Sequence, residues 1–501
     1  METFTWKLEL ELSGEDSGWT DCTADVSLMD GNLEIVDGIS STSLIDLLAN
    51  PGSIAWVFDN SPANSAGLAG YYTPGHANCR SGFAKNIRCR YSEYYDSTRY
   101  YQGVYWLKKP IPSAGIFGEA VTRCRATDWL EVMMNVPLPP VGVQTNQTAD
   151  QLLTTLLAQV TTQPESVDFD AGDSILASAF DTDDVEQDSV YSILGKIAPS
   201  EFGRIYLQPS TGGGGILKFE HRNARLGNIT SLGTISNVMD DAIVIDDAGQ
   251  VYDRFRVKIT PRRVDDTLVT VATLNYHMYL NPGEEQRFTL NYVEQTSGAR
   301  ISAGNIQVPD AGTDYKFGTV DDGSAQNLNA SLGVTQVETG ANSSVLKAKN
   351  NGSVAGYVNL FGLRGYGIYA FNPYTVEVGT GGLRVQTLDM PYQNNPITAA
   401  SVCNYLQAIA SDNANRACRV SFHANKLAAL MTAAMTGLIS TRWTIEETQS
   451  ALGGDYFING RKRTVSLGNR LDVEWLMVPA GIGGAWILDT SALDTTTVLV
   501  V

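Results

Sequence analysis

Residues 188–222 read DSVYSILGKIAPSEFGRIYLQPSTGGGGILKFEHR and decide the fold that the sequence predicts. Asp188 can cap a helix, because apolar residues follow it with helical spacing at positions 190, 193, 194 and 197. Pro199 is expected to end that helix. The remainder has the pattern of a hairpin, whose strand, loop and returning strand are predicted at 204–208, 209–215 and 216–221. The unit is therefore a helix followed by a hairpin.

The residues before this unit also mix strand and helix. Positions 121–125 alternate like a strand, and 126–133 resemble a short helix before the proline-rich break at 137–140. Thr148 and Gln151 then fit a capping box, which is followed by an apolar stripe at helical spacing: Leu152, Leu153, Leu156, Leu157 and Val160. The stripe predicts a helix that packs against a neighbouring element.

Both ends of the chain are predicted to be β. Apolar residues at positions 6, 8, 10 and 12 alternate with polar ones, which is the period of a half-buried strand. Further aromatic and β-branched runs predict strands at 54–58, 87–91 and 101–107, with a long loop at 60–82. Strands return in the last 60 residues, at 443–445, 456–458, 465–467, 473–477 and 486–488.

Between these ends lies a second strand-rich stretch followed by helices. Residues 246–380 carry strand-like runs separated by polar turns, so an inserted β-sandwich is the economical interpretation. Helices are predicted at 398–410 and 425–438, on either side of a strand at 419–423.

These patterns predict an α+β, β-rich multidomain fold. Two β-barrel or sandwich domains are expected at the chain ends, with helix-plus-hairpin domains between them and an inserted β-sandwich. A length of 501 residues exceeds what one hydrophobic core usually organises. The predicted domains are an N-terminal β-barrel, a mixed α/β domain, the inserted β-sandwich and a C-terminal α+β or β-barrel domain, at 1–118, 119–245, 246–380 and 381–501.

Composition and charge restrict the function. The formal net charge is −19, so a basic surface that grips nucleic acid is not expected, although an acidic lining can let DNA pass without sticking. The plainer interpretation of this charge is solubility. The first residues lack the pattern of a secretory signal, and the longest nearly apolar run, 427–439, falls short of the roughly 20 residues needed to span a bilayer. No membrane-spanning segment is predicted.

Candidate motifs for chemistry are few, and each has a structural explanation. The glycine run at 212–215 is followed by a strand, not by the helix of a phosphate-binding loop, so a hairpin tip is favoured. The acidic residues at 181–188 lack the pattern of a calcium loop, and a solvated loop is favoured. Aromatic residues at 91, 94, 95, 100, 101, 105 and 106 could form a sugar or base platform, but strand cores and subunit interfaces use the same residues.

The remaining reactive residues form no recognisable site. The six cysteines are scattered and are predicted to be reduced, buried thiols, and the four histidines are not spaced like metal ligands. His423, in an alternating strand, is predicted to be a half-buried structural residue. No Gly-x-Ser-x-Gly motif is present, so no catalytic, cofactor-binding or metal-binding residue is predicted and no enzymatic activity is expected.

A family resemblance adds to these patterns. The order of the segments 19–26 (WTDCTADV), 58–60 (FDN), 70–74 (GYYTP) and 101–104 (YQGV) resembles the N-terminal domain of minor tail proteins of long-tailed bacteriophages. The strand-to-helix junction at 126–130 and the helix plus hairpin within 192–222 are also similar to that family. The closing segments 455–460, 486–489 and 496–499 resemble it too.

The resemblance implies a baseplate or tail-tip hub protein, a virion structural protein at the distal end of the tail, assembled in the host cytoplasm. Hubs of this kind are commonly homotrimers in which two barrel domains per chain form a pseudo-sixfold ring. Implied partners are distal tail and tail tube proteins, the tape-measure protein and tail fibre or receptor-binding proteins. DNA would pass transiently through the lumen during genome ejection, without sequence-specific binding, and no cofactor is implied.

Two alternatives stay open at this stage. A host-receptor or glycan-binding tail protein would use the insertion at 246–380, which is the part that departs most from the family, together with its aromatic residues. A cell-wall hydrolase is the third interpretation, because 54 acidic residues always allow some pair of carboxylates.

Overall fold

The computed structural model describes residues 4–14, 18–41, 43–114, 118–138, 141–181, 188–210, 214–244, 252–379, 384–411 and 418–480. The chain is 44% strand and 14% helix, so strand pairing sets the architecture and helices fill in around it. The predicted β-rich α+β class is confirmed. Among the helices of these ranges, none has the length and apolar composition of a membrane-spanning segment.

The N-terminal segment consists of strands, as its alternation predicts. Leu8 and Leu10 are completely buried and Lys7 is half-buried, but Glu9 and Glu11, which the alternation places on the solvent side, are buried as well, because arginines pair with them. The strands are β1 (Thr5–Leu10), β2 (Thr20–Asp21), β3 (Leu33–Gly38), β4 (Ser53–Asp59), β5 (Arg88–Tyr95), β6 (Thr98–Leu107), β7 (Ile111–Pro112) and β8 (Val121–Thr127).

The next segment alternates helices with short strands. Its elements are α1 (Trp129–Asn135), β9 (Gln144–Gln147), α2 (Ala149–Leu157), β10 (Ser166–Phe169), β11 (Leu176–Ala179), α3 (Val190–Glu201), β12 (Arg204–Gln208), β13 (Ile216–Glu220), α4 (Ala224–Gly227), β14 (Thr234–Ser236) and β15 (Asp241–Val244). The predicted capping box of α2 is present: Thr148 and Gln151 each bond the backbone of the other.

The structure corrects three helix boundaries. Ser189, not Asp188, is the N-cap of α3, and its side chain accepts a hydrogen bond from the backbone N–H of Ser192. Pro199 does not end α3; it lies in the last turn, and the helix ends where Phe202 adopts a left-handed backbone (φ 59°). The helix predicted at 126–133 begins only at Trp129, because β8 continues and Asp128 caps α1.

The inserted segment is entirely β within the described residues, apart from one short 3₁₀ turn. Its strands are β16 (Arg254–Ile259), β17 (Arg262–Val264), β18 (Val269–Thr273), β19 (Met278–Leu280), β20 (Glu285–Asn291), β21 (Ser302–Gly304), β22 (Tyr315–Gly318), β23 (Leu332–Thr339), β24 (Ser343–Asn350), β25 (Gly356–Ala370) and β26 (Tyr374–Gly379). A six-stranded sheet around β25 and the sheet β20–β24–β23 share one buried cluster, in which Phe288 packs edge-on against Phe361.

The C-terminal segment brings back the predicted helices and strands. Its elements are β27 (Val385–Met390), α5 (Pro396–Ser411), β28 (Cys418–His423), α6 (Ala428–Thr436), β29 (Arg442–Glu447), β30 (Leu452–Ser466) and β31 (Arg470–Pro479). The strands predicted at 456–458 and 465–467 are one long strand, β30, with an irregularity between Ile458 and Gly460. The strand predicted at 486–488 lies outside the described residues.

The two ends of the chain form one sheet, which differs from the two barrels or sandwiches predicted there. Fourteen strands pair in the order β15-β28-β31-β30-β3-β4-β8-β6-β5-β1-β2, with β7, β14 and β29 attached at the side, and this order closes no barrel. The junction is the antiparallel pairing of β3 with β30, from Leu33 opposite Val465 to Gly38 opposite Gly460. β3 also pairs with β4, and β30 with β29 and β31, so their mutual pairing fills the edge that each strand would otherwise leave open.

The buried residues form two clusters. The larger contains side chains from both chain ends, from the helical segment and from the sheet β26–β16–β27. The smaller lies wholly between Val271 and Leu363. The division into four domains stays a prediction, because two clusters of buried residues do not by themselves define its boundaries.

Candidate functional site

The junction of β3 and β30 carries a group of charges, which we call the terminal clamp: half-buried Asp37 and buried Glu93, Arg461 and Arg463. The Arg463 and Glu93 side chains pair with exposures of 1% and 0%. Arg461 forms a bidentate ion pair with Asp37: its Nε lies 2.8 Å from Oδ1 and its Nη2 lies 2.7 Å from Oδ2. The clamp therefore binds N-terminal strands to β30 by charge as well as by backbone hydrogen bonds.

Other groups satisfy the remaining donors and acceptors of the clamp. Arg461 donates to the carbonyl of Gly437 and Arg463 to that of Ala434, both at the carboxyl end of α6, where a positive charge is favoured. Glu93 also accepts hydrogen bonds from Tyr91 and Gln102. Burial opposes the charge of Arg461, but Asp37 outweighs it, so the pKa of this guanidinium is raised.

A second set of ion pairs lines the outer part of the same sheet. Glu11 accepts from Arg88 at 2.6 and 2.9 Å, and Glu9 pairs with both Arg90 and Arg99. The guanidinium groups also lie over aromatic rings: Arg90 is 4.4 Å from the ring centre of Trp19, and Arg99 is 4.5 Å from that of Tyr101. Carboxylates, arginines and rings thus fix β1, β5 and β6 against one another.

A third buried pair joins the inserted segment to the helical one. Arg262, on β17, pairs with Asp181 through two nitrogens, and the side chains are 2% and 1% exposed. Arg262 also donates to the carbonyls of Thr260 and Pro391. Asp181 was predicted to begin a solvated acidic loop; it is buried instead, because Arg262 neutralises it. Residues 182–187 of that stretch lie outside the described residues.

Two buried carboxylic acids have strongly shifted titration. Burial raises the pKa of Asp128 to about 7, although the N–H groups of Gly52 and Leu130 donate to it. Burial also raises the pKa of Glu201 to about 7, even though Arg222 lies 3.8 Å away and Ser174 donates its backbone N–H. Asp128 is the N-cap of α1, and Glu201 accepts hydrogen bonds from the backbone N–H groups of Asp173 and Ser174, so both carboxyl groups have structural partners.

Two cavities in the described part of the chain are large enough to hold a small molecule. One, of about 290 Å³, lies between the end of α3 and the first turns of α5, and it is mainly apolar with Arg222 and Asn223 at one side. The other, of about 250 Å³, is mainly polar. Its lining groups already have partners within the chain: Glu220 accepts a hydrogen bond from Ser440, and Arg442 donates one to Asp455. Glu220 accepts from Tyr206, Ser440 and Arg225, so its oxygens are engaged in holding strands together.

The structure places the sequence candidates in structural roles. The described half of the glycine run, Gly214 and Gly215, lies at the tip of the β12–β13 hairpin, as predicted. Of the aromatic group, Tyr91, Tyr95 and Tyr105 are buried and the others are half-buried. The most buried members therefore belong to the core.

His423 and the cysteines also fit their predicted environments. His423 is 28% exposed and lies between Asp472 and Asp240. Of the five cysteines that the structure describes as free thiols, four are buried and Cys79 is half-buried. Burial raises the pKa of Cys22 to about 11 despite a nearby Arg80, which keeps this thiol protonated at neutral pH. In the described ranges no three His, Cys, Asp or Glu residues are grouped to hold a metal ion.

Sequence reasoning missed the terminal clamp. Glu93 and Arg463 lie 370 positions apart, and each looks like a surface residue in an alternating strand. The only local signal is the placement of charged residues between apolar ones in strands that are otherwise aromatic, for example Glu93 between Tyr91 and Tyr95.

The fold and these clusters define a β-rich α+β protein in which internal ion pairs join distant parts of the chain. No protein-family model matches the chain, and no curated protein matches it in sequence. Among solved structures, it is similar to the 43 kDa tail protein of prophage MuSo2 from Shewanella oneidensis, with 10% identity, a TM-score of 0.48, and 95% of this chain and 98% of that chain covered.

Two further tail proteins are similar over comparable lengths. The tail protein from Neisseria meningitidis MC58 has 10% identity and a TM-score of 0.44, with 94% of this chain and 96% of that chain covered. The prophage tail protein gp18 from Listeria monocytogenes EGD-e has 9% identity and a TM-score of 0.39, with 94% of each chain covered. All three of these solved structures are of tail proteins, the class named by the sequence resemblance.

Proposed function

We propose that the chain is a non-catalytic structural protein of a bacteriophage tail, a baseplate or tail-tip hub subunit at the distal end. It assembles as a homotrimer, closes the tail tube and opens for the passage of DNA. Its partners are distal tail and tube proteins, the tape-measure protein and tail fibre or receptor-binding proteins. The order of N-terminal segments that resembles minor tail proteins supports this role.

The terminal clamp is the observation that carries the proposal. A hub subunit must hold its shape between partners above and below it, so its two β-rich ends need a fixed relative position. Here they share one sheet, and Glu93–Arg463 and Asp37–Arg461 lock the junction from inside. Breaking such a buried pair leaves an uncompensated charge, which penalises any sliding of β3 along β30.

The charge of the chain supports the passage of DNA. Each subunit has a net charge of −19, so the inner wall of a ring of subunits would repel DNA, which is also negatively charged. DNA could then move through the ring without adhering to it.

Immunogold labelling of intact phage particles tests the proposal. An antibody to this chain should label the distal end of the tail, and mass spectrometry of purified tails should find the chain there. Labelling along the tube or on the capsid, or absence from purified tails, would contradict it. A capsid antibody on the same grids is the matched control.

A second candidate, a host-receptor or glycan-binding tail protein, is favoured by one surface feature. Tyr279 is 44% exposed on the inserted segment, and its ring lies 4.8 Å from that of Tyr357 on the neighbouring strand. Aromatic pairs of this kind can stack on sugars. A glycan array with the intact chain and with a variant in which Asn-Gly replaces residues 263–369 separates the two roles: the variant should lose glycan binding but still be found in purified tails.

A further inference from the structure

Residues 60–82 make up most of the connection between β4 and β5, which runs from 60 to 87 and contains no helix or strand. Connections of this length without regular structure are uncommon in compact domains and are usually functional or disordered. The hydrogen bonds of this loop favour the first case, because they hold it in one shape. Asn60 accepts from Tyr72, and Asn64 bonds the backbone of Ser61 and Leu68.

A buried carboxylate anchors the loop from below. Asp25, 2% exposed, accepts hydrogen bonds from the backbone N–H and the hydroxyl of Ser65, both at 2.7 Å, and from the Tyr72 hydroxyl at 2.5 Å. Arg80 also donates a hydrogen bond to the Tyr72 hydroxyl. The Tyr72 ring stacks on Phe58 with ring centres 3.9 Å apart. The shape of the loop is thus set before any partner binds, which lowers the entropy cost of binding.

The exposed part of the loop carries no formal charge. None of residues 60–79 is Asp, Glu, Lys or Arg, in a chain whose net charge is −19. The side chains that face solvent are mostly small or apolar, and Leu68 is 42% exposed. The exposed residues in this stretch are Pro62, Ala63, 65–69 and 74–77.

We propose that loop 60–82 is a contact surface for a second copy of this chain. The proposal rests on the hub function above, because it supplies one of the contacts that a homotrimer needs. Two copies with a charge of −19 repel each other, so they can approach most closely where each surface carries no charge. Interface cores are depleted of charged residues for the same reason, and small side chains let two backbones come close.

Charge insertion in the full-length chain tests this surface. Leu68→Glu places a carboxylate in the loop, and Val337→Glu is the matched control, because Val337 is 41% exposed on β23 of the inserted segment and the net charge changes equally. Sedimentation across a concentration series should give a self-association constant at least about tenfold weaker for Leu68→Glu than for the unchanged chain. Val337→Glu should match the unchanged chain, and Ala66→Glu should repeat the loop effect.

The outcomes separate this inference from the hub function. Equal association of Leu68→Glu, Ala66→Glu and the unchanged chain, with unchanged circular dichroism, overturns the role of the loop alone. Equal weakening by Val337→Glu also overturns it, since net charge would then explain the effect. A chain that stays monomeric at every concentration overturns it as well. Absence of the chain from purified tails overturns the hub function, whatever the loop variants do.

Discussion

At the residues of the terminal clamp, removal of a single side chain is expected to lower the stability of the fold strongly. Glu93 and Arg463 are both buried, and together they replace the water that each charge would need. A lone buried charge costs far more than a lone exposed one, because the interior cannot solvate it. The clamp therefore stabilises the arrangement in which the two chain ends are paired over one in which they are separated.

Arg463→Met tests the clamp at this scale. The variant leaves Glu93 buried without its cation, so the free energy of unfolding should fall by about 3–5 kcal/mol. Urea denaturation of the full chain, followed by tryptophan fluorescence, measures it. Glu338→Gln, which breaks the exposed pair with Arg287, should change little. If Arg463→Met were as stable as Glu338→Gln, the clamp would have no structural role.

Glu201 gives a prediction about pH. Burial raises its pKa to about 7 from an ordinary 4.5, so the folded chain holds a proton here that the unfolded chain releases. The resulting stabilisation is fully present below pH 4.5 and is lost as pH rises through 7. Relative to Glu201→Gln, the unchanged chain should lose up to about 3 kcal/mol of unfolding free energy between pH 4.5 and pH 8. Parallel stability curves for the two proteins would contradict the shifted titration.

At the scale of the element, local patterns predicted most helices and strands. The unit at 188–222 was predicted well because its signals lie within a few residues of one another: apolar spacing, a cap and a turn. The predicted start of α3 was wrong because two adjacent residues could both serve as its N-cap. Asp188 and Ser189 are both good caps, and the sequence does not show that Asp188 instead accepts from Ser192 and Lys196.

The corrected cap of α3 can be tested by comparing two alanine variants. Ser189→Ala removes the side chain that accepts from Ser192, and unfolding free energy should fall by about 1 kcal/mol. Asp188→Ala should cost less, because its pair with Lys196 is partly exposed. Thermal unfolding by circular dichroism gives both values. The opposite order would mean that Asp188 caps the helix after all.

At the scale of the whole molecule, the pairing of distant strands was beyond what the sequence could predict. Nothing within reach of β3 indicates that its partner begins more than four hundred residues later, because the alternation of a strand specifies a buried face and not a neighbour. The same limit explains why barrels were expected at the ends. The candidate site shares this limit, since the clamp exists only after β3 and β30 have paired.

The insertion offers a test of how the whole chain is organised. Arg262 and Ala370 are partners in the β17–β25 ladder, so the chain leaves and returns at adjacent positions. The smaller buried cluster lies entirely between them. Replacing residues 263–369 by Asn-Gly should leave a chain that unfolds cooperatively and keeps its near-ultraviolet circular dichroism. Loss of both signals would show that the larger core depends on the insertion.

Native mass spectrometry of the purified full-length chain tests whether the clamped sheet is the frame of a ring subunit. We expect a closed homotrimer at three times the 54.2 kDa mass of one chain. A trimer of Arg463→Met should be less abundant, since its subunit frame is weakened. A monomer at every concentration, with the clamp intact, would show that the clamped sheet does not frame a ring subunit.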